Sequence, residues 1–364
     1  MRMPKNEFLS CLEKVYPAVG KNEIIKDREN FQINKDVVWA YNGNMMIRTN
    51  LPCDTGLKCG VPARHFLQLL RSLDTEEVEL TDKNRSIHIK AGAINATVGS
   101  LPLPFYKHEN LTKPKSTCRD TKAISDLIES LNLCKFVPSN SWCDRIYKGV
   151  KLDKDTVIST DRNRIAVCSL GSKFPWTNCV LPIKLINLMN KVKDDICEVG
   201  YSSDKKYFVV LLTDKTYIGC RTLEDLPNLL HYFPKSDSPC VQIHFTNEIG
   251  SMIERHNQFL VDVPQIDKEI FLHIHKYKCV VTSKDKYIGS LTEELELSNH
   301  VKSEFEFYVN PVFLKDVAKG CSVLHWYPDE EKILLETEKL RHLTLSKEEA
   351  NWNQYELTNE LINK

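Results

Sequence analysis

The chain has 364 residues, 42% hydrophobic and 27% charged, with 49 basic against 49 acidic side chains. That length predicts two or three domains with cores of ordinary size, and that balance excludes both a chain disordered throughout and one that grips nucleic acid over its whole surface, which would be basic overall. The charge is uneven, however: residues 1–240 hold 35 Lys and Arg against 28 Asp and Glu, and residues 241–364 hold 14 against 21, so any attraction for phosphates is local.

The N-terminus, Met1-Arg2-Met3-Pro4-Lys5-Asn6-Glu7, has no apolar run behind its positive charge, and the longest apolar run, Tyr207 to Leu212, is too short to span a bilayer. A cytoplasmic protein with no membrane partner is expected. Thirteen cysteines, an odd number, are scattered singly from Cys11 to Cys321 without a C-x-x-C pair, which reads as reduced, mostly buried thiols.

In chain order, Phe8, Leu9, Leu12 and Val15 mark a first amphipathic helix. Val61-Pro62-Ala63-Arg64 opens a second, burying Phe66, Leu69, Leu70 and Leu73, and strands follow near 78–80, 86–89 and 95–98 with polar turns at Asp82-Lys83-Asn84 and Ala91-Gly92. A polar stretch broken by proline, Thr112 to Thr117, precedes a helix with Ile124, Leu127, Ile128 and Leu131 on one face. Val157 to Leu170 then reads as two apolar strands hinged on Asp161-Arg162-Asn163, residue types that tolerate a hairpin corner. Leu181-Pro182-Ile183-Lys184 opens a helix burying Leu185, Leu188, Met189 and Val192, with strands near 197–201, 207–212 and 216–220. After a second linker-like stretch, Phe233 to Pro239, come a helix on Ile249, Met252, Ile253 and His256 and another opened by Asn310-Pro311-Val312-Phe313. This last helix buries Phe313, Leu314 and Val317 and stops at Gly320, before strands near 323–327, 332–336 and 342–345.

The three helix-opening prolines lie 120 and 129 residues apart, a domain-sized period. The expected architecture is α+β: three tandem similar domains, 1–114, 115–237 and 238–364 with a C-terminal extension, each with two helices packed on antiparallel sheets. On the polar faces of the proline-opened helices stand Arg64, Gln68 and Arg71, then Lys184, Asn187 and Lys191, then Lys315 and Lys319. Cations recurring on equivalent helices suit a sequence-blind contact with phosphates, although such faces also serve solubility.

Nucleotide-binding, zinc-protease and nucleophile-elbow motifs are absent, so neither catalysis nor a cofactor is expected. His273 and His275 share a strand face and Cys279 is near, but plain alternation explains them better than a metal site.

The segment Thr160-Asp161-Arg162-Asn163-Arg164-Ile165-Ala166 resembles the Ala-Thr-Asp-Gly-His-Arg-Leu-Ala stretch of bacterial DNA sliding clamps, the beta subunit of DNA polymerase III, with Thr160, Asp161, Arg164 and Ala166 on matching positions. Val61-Pro62-Ala63-Arg64, Ser100-Leu101-Pro102 with Phe105, Leu226-Pro227 and Phe233-Pro234 are similar to further clamp segments. The resemblance implies the DNA clamp fold and a head-to-tail homodimeric ring of six similar domains. Such a ring encircles duplex DNA without regard to sequence and tethers the polymerase catalytic subunit, a processivity factor with no enzymatic activity of its own. It further implies that Tyr147, Thr160, Arg164, Ile165, Pro227, His231 and Tyr232 form a pocket for polymerase and clamp-loader peptides. The cationic helix faces would line the DNA-facing lumen, and Phe105 would close the ring against Phe259 and Leu260 of a second copy. The alternative is a clamp-fold protein that no longer closes and acts as a replisome-binding module or inhibitor. Two departures stand out. Arg162-Asn163 replaces the usual Gly-His, and the chain runs beyond Leu343-Thr344-Leu345 into a tail with Trp352, Tyr355, Leu357, Leu361 and Ile362, which reads as an extra helix or a cover for the pocket.

Overall fold

A computed structural model describes residues 2–103, 114–137, 147–202, 206–245, 249–318 and 320–346. Phe105, Lys319 and the tail after Ser346 lie outside the described residues.

The first hundred residues run β1 (Arg2–Pro4), α1 (Lys5–Val15), β2 (Asn30–Asn34), β3 (Val37–Tyr41), β4 (Met45–Asn50), β5 (Lys58–Pro62), α2 (Ala63–Arg71), β6 (Glu77–Lys83), β7 (Ser86–Ala91) and β8 (Ile94–Gly99). The same succession returns as β9 (Pro114–Cys118), α3 (Thr121–Cys134), β10 (Gly149–Asp153), β11 (Thr156–Thr160), β12 (Arg164–Ser169), β13 (Cys179–Pro182), α4 (Ile183–Lys191), β14 (Ile196–Ser202), β15 (Tyr207–Leu212) and β16 (Tyr217–Arg221). A third pass starts with β17 (Val241–His244) and α5 (Ile249–Phe259). It then runs two long strands, β18 (Ile270–Asp285) and β19 (Gly289–Val309), where the others have four short ones, before α6 (Pro311–Ala318), β20 (Val323–Tyr327), β21 (Lys332–Glu336) and β22 (Leu340–Leu345).

Local chemistry explains these elements. The two-residue turn between β6 and β7 places Asn84 and Arg85 at φ of 52° and 60°, the twist a tight hairpin needs. Pro311 begins α6, but Pro62 and Pro182 stand one residue before their helices, extended at φ of −54° and −70° as the last residues of β5 and β13. Proline's fixed φ suits the end of a strand as well as the first helical turn. The helix stripes keep most of the expected residues, Phe66, Leu70, Leu73, Leu185 and Met189 among them, and differ at single positions. Leu67 and Ile186 are buried where Leu69 and Leu188 were expected, and Leu9, Val192 and Phe313 are half-buried.

Contacts group the chain into two compact units, Met1–Ile128 with Phe174–Leu223, and Glu129–Lys173 with Glu224–Lys364. In the first, an eight-stranded antiparallel sheet runs β5-β2-β3-β4-β16-β15-β14-β9 and a four-stranded one runs β1-β6-β7-β8. The join between β4 and β16 pairs Ile47 with Ile218, and beside it the Thr49 and Thr216 hydroxyls meet at 2.7 Å. Phe8 of α1 meets Phe66 of α2 edge to face at 6.1 Å in the core.

In the second unit the strands run β10-β11-β12-β22-β21-β20-β17, with β12 joined to β22, and β18 and β19 form a separate two-stranded ribbon. The ladders therefore carry strands of one pass into those of the next, which is why units defined by contact differ from divisions defined by the repeat. Twelve described cysteines are free, and no helix among the described residues is long and apolar enough to cross a membrane.

Candidate functional site

The corner between β11 and β12 is built by its own side chains. Asp161 Oδ1 accepts the backbone N–H groups of Asn163 and Arg164 at 3.0 and 3.1 Å, while the Thr160 hydroxyl donates to Arg164 O at 2.8 Å and accepts from Arg162 N at 3.1 Å. These bonds hold Arg162 at φ 80°, a conformation that glycine adopts freely and arginine does not.

Beyond the corner the strand period of two sorts the side chains onto opposite faces. Ile158, Ile165, Val167, Leu334 and Leu343 form an apolar cluster on one face, covered by Leu229 and Phe233. Along that face opens a cavity of about 330 Å³ lined by Tyr147, Thr160, Arg162, Asn163, Ile165, Pro227, Leu229, Tyr232, Lys332, Leu343, Thr344 and Leu345. Its rim exposes large apolar side chains, Tyr232 at 50% and Leu345 at 56%. A second cavity of about 200 Å³, lined by Ile266, Lys268, Tyr308 and Phe313 among others, shares Asn163 and Leu345 with the first.

Five of the seven residues expected at the peptide pocket, Tyr147, Thr160, Ile165, Pro227 and Tyr232, thus border one cavity, and two do not. His231 packs on Tyr232 at 4.1 Å outside the lining. Arg164 points to the opposite face from Ile165, because neighbours in a strand must. Its guanidinium donates to Asp161 Oδ2 at 3.0 Å, Phe136 O at 3.2 Å and Val312 O at 3.2 Å. It also lies over the rings of Phe136 and Phe313 at 5.5 and 5.2 Å. Arg164 is therefore a buried tie between the hairpin, the residues after α3 and the start of α6. The sequence reading missed Leu229, Leu343 and Leu345, although alternation from Ile165 across the β12–β22 ladder would have found the last two.

Relieving the backbone at Arg162 has a measurable consequence. Arg162→Gly removes strain of roughly 1–2 kcal/mol and loses the guanidinium's contact with the Tyr147 ring at 5.0 Å, worth roughly 0.5–1 kcal/mol at an exposed site. The side chain's contacts and glycine's larger unfolded-state entropy offset part of the released strain, so the urea midpoint is expected to rise by the equivalent of no more than about 1 kcal/mol.

On the helix faces, Arg64, Gln68, Lys184, Asn187 and Lys191 are exposed, and Arg64, Lys184 and Lys191 hold no ion pair among the described residues. Arg71 is held by Glu13 of α1 at 2.8 Å and Lys315 is half-buried. Leu260 is only 2% exposed, packed within its own unit, Phe259 is half-buried, and the exposed apolar side chain beside them is Val261.

One arrangement superficially resembles an acid–base relay: Ser283 Oγ lies 2.9 Å from His256 Nδ1, and His256 Nε2 lies 3.6 Å from Glu293, which Arg255 grips with two nitrogens. Ser283 and His256 both have 0% exposure, so no substrate reaches the hydroxyl, and burial pushes the imidazole below its ordinary range. His273, bonded to Glu304, stacks on His275 at 5.0 Å, while Cys279 is buried with its thiol pushed up to about 12 by desolvation.

No protein-family model and no curated protein matches the sequence. Solved structures do match the fold. The DNA polymerase III beta subunit of Pseudomonas aeruginosa aligns with a TM-score of 0.78 at 15% identity over 95% of this chain and 99% of that one. The beta sliding clamp of C. crescentus gives 0.79 at 13% identity over 95% and 97%, and the beta subunit of Thermotoga maritima 0.76 at 14% over 95% and 98%. The chain therefore has the fold of the DNA polymerase III beta-subunit sliding clamps, a divergent version in which Arg162 occupies the strained corner beside the apolar cavity.

Proposed function

We propose that the chain is a DNA polymerase processivity factor: two copies close head to tail into a ring around duplex DNA and tether the polymerase catalytic subunit and other proteins to it. The observation that carries this reading is the likeness to beta clamps over 95% of the chain. The domains are 1–114, 115–237 and 238–364. Arg64, Gln68, Lys184, Asn187 and Lys191 face the duplex, joined by Arg71, Lys315 and Lys319. A ring holds DNA by topology, so its lumen needs only mild, sequence-blind attraction, and a formal charge of +0 with local cationic faces suits that. The cavity beside Ile165 receives peptides of the polymerase and of the clamp loader. The protein acts in the cytoplasm without catalysis or cofactor.

The test is retention on DNA after loading by the cognate clamp loader. Complexes are expected to persist on circular DNA and to be lost once the circle is cut, because only a topological link ends at free ends. Equal retention on both forms would refute a closed ring. The burial of Leu260 within its own unit favours a second reading, a clamp-fold binding module that does not close, and a monomeric mass near 42.0 kDa in light scattering would support it.

A further inference from the structure

We propose that Lys151 is a positioning residue for the cavity: its buried ammonium fixes residues 225–229, which wall the cavity on one side, and so sets how firmly a docked peptide is held. The inference rests on the peptide-docking reading above and adds a residue outside the lining that acts on it through the wall.

Lys151 stands in β10 directly opposite Ile158, so the two side chains share the sheet face that carries the apolar cluster. A lysine is out of place there. At 6% exposure it has given up its water, and lysines are almost never so buried unless paired. Its pairing is with the wall: the ammonium donates to Leu226 O at 3.1 Å and lies 2.9 Å from Asp225 Oδ1, one and two residues before Pro227 of the lining.

Bonds further along the segment are local. The Leu230 N–H donates to Asn228 Oδ1 at 3.2 Å, the Tyr232 N–H to Leu229 O at 3.1 Å and the Phe233 N–H to Leu230 O at 3.3 Å, which shapes the segment without attaching it to the sheet. Leu226, Leu229 and Phe233 are buried, but apolar burial is non-directional and tolerates sliding. Arg341 lies over the Phe233 ring at 4.8 Å at the far end, and Lys151 supplies the directional tie at the near one. The Asp225 side chain is 46% exposed and rehydrates if the lysine goes, so removing the ammonium strands no buried charge and a methionine would serve this core about as well. What the lysine adds is a fixed place for the wall. A wall held before the peptide arrives spares binding the cost of ordering it.

Fluorescence anisotropy with one labelled hexapeptide amide, Ala-Leu-Ser-Leu-Phe-Ala, tests this on the full chain, beside urea unfolding and hydrogen exchange. Lys151→Met, which keeps the apolar stem, is expected to bind the peptide roughly tenfold more weakly and to exchange the amides of Leu230, Tyr232 and Phe233 faster, while its urea midpoint stays close to the parent's. Lys151→Arg should recover part of the affinity, since a guanidinium can also donate to both acceptors. A lysine with a merely structural role would give the reverse pattern, a lowered midpoint with unchanged affinity. Asp225→Asn, altered at a half-exposed side chain outside the lining, should weaken binding roughly fourfold and carries the test if Lys151→Met does not fold. Binding of the folded variant within about twofold of the parent's overturns the inference and leaves the docking reading intact. Failure of the unaltered chain to bind the peptide overturns the docking reading itself.

Discussion

Replacing Arg164 with alanine is expected to destabilise the second compact unit by about 3–5 kcal/mol, the cost of removing one partner from a buried, hydrogen-bonded ion pair. The change takes three donors at once, from Asp161 Oδ2, Phe136 O and Val312 O, and leaves the Asp161 carboxylate, 14% exposed, without its cation. Two aromatic rings lose the face packed against them. Arg164→Lys keeps a charge but not the planar fork that reaches three acceptors, so it should recover only part of the loss. Arg71→Ala is the control: its pair with Glu13 is solvent-exposed on both sides, and such pairs are worth roughly 0–1 kcal/mol. Urea unfolding gives the magnitudes, and hydrogen exchange locates them. Protection should fall in β10 to β12 and β20 to β22 of the Arg164 variant before it falls in β2 to β5. Equal effects of Arg164→Ala and Arg71→Ala would contradict the role assigned to the buried guanidinium.

A second large effect is expected from pH through His342. Its ring is fully buried on the inward face of β22, opposite Ala166 and Leu335 on the neighbouring strands, with Phe136 at 5.9 Å and neither nitrogen hydrogen-bonded among the described residues. Burial first, and the Arg164 charge second, push its pKa down to about 3. The folded chain therefore keeps the imidazole neutral where the unfolded chain, with an ordinary histidine, takes up a proton. Stability from this residue is complete above about pH 6.5 and falls by about 1.4 kcal/mol per pH unit below it, until the folded-state value is reached. By about pH 4.5 the loss amounts to roughly 3 kcal/mol. His342→Leu should flatten that part of the profile and, by removing two unsatisfied buried nitrogens, raise stability at neutral pH by roughly 1–3 kcal/mol. Urea midpoints of both proteins at pH 7 and pH 5 decide the matter: parallel shifts with pH would mean that His342 is not the group titrating.

The corner at Asp161 was legible from sequence because its chemistry is local. Asp and Thr oxygens bond to backbone groups within a few residues, so residue type and spacing suffice to predict the turn. Arg164 and Ile165 were placed in one pocket by position along the chain. The strand separates them, since Ile165 packs with Leu343 and Arg164 turns toward Phe136. Alternation predicts opposite faces, but which face opens onto the cavity depends on the segment Pro227 to Tyr232, more than sixty residues further on. His342 escaped notice for the same reason, because a histidine inside an apolar strand does not announce that its face is the dry one.

By itself the sequence determined the repeat, the amphipathic helices, most strand positions and the polar corners, because each is written in periodicities and turn residues a few positions apart. Only the tertiary structure decided that β4 joins β16 and β12 joins β22, that β18 and β19 form one long ribbon, that Arg164 is a tie and Arg162 a rim, and that His342 is sealed from water. Strand pairing and burial depend on surfaces far apart in the chain, and the free energy that selects them comes from the water those surfaces exclude together.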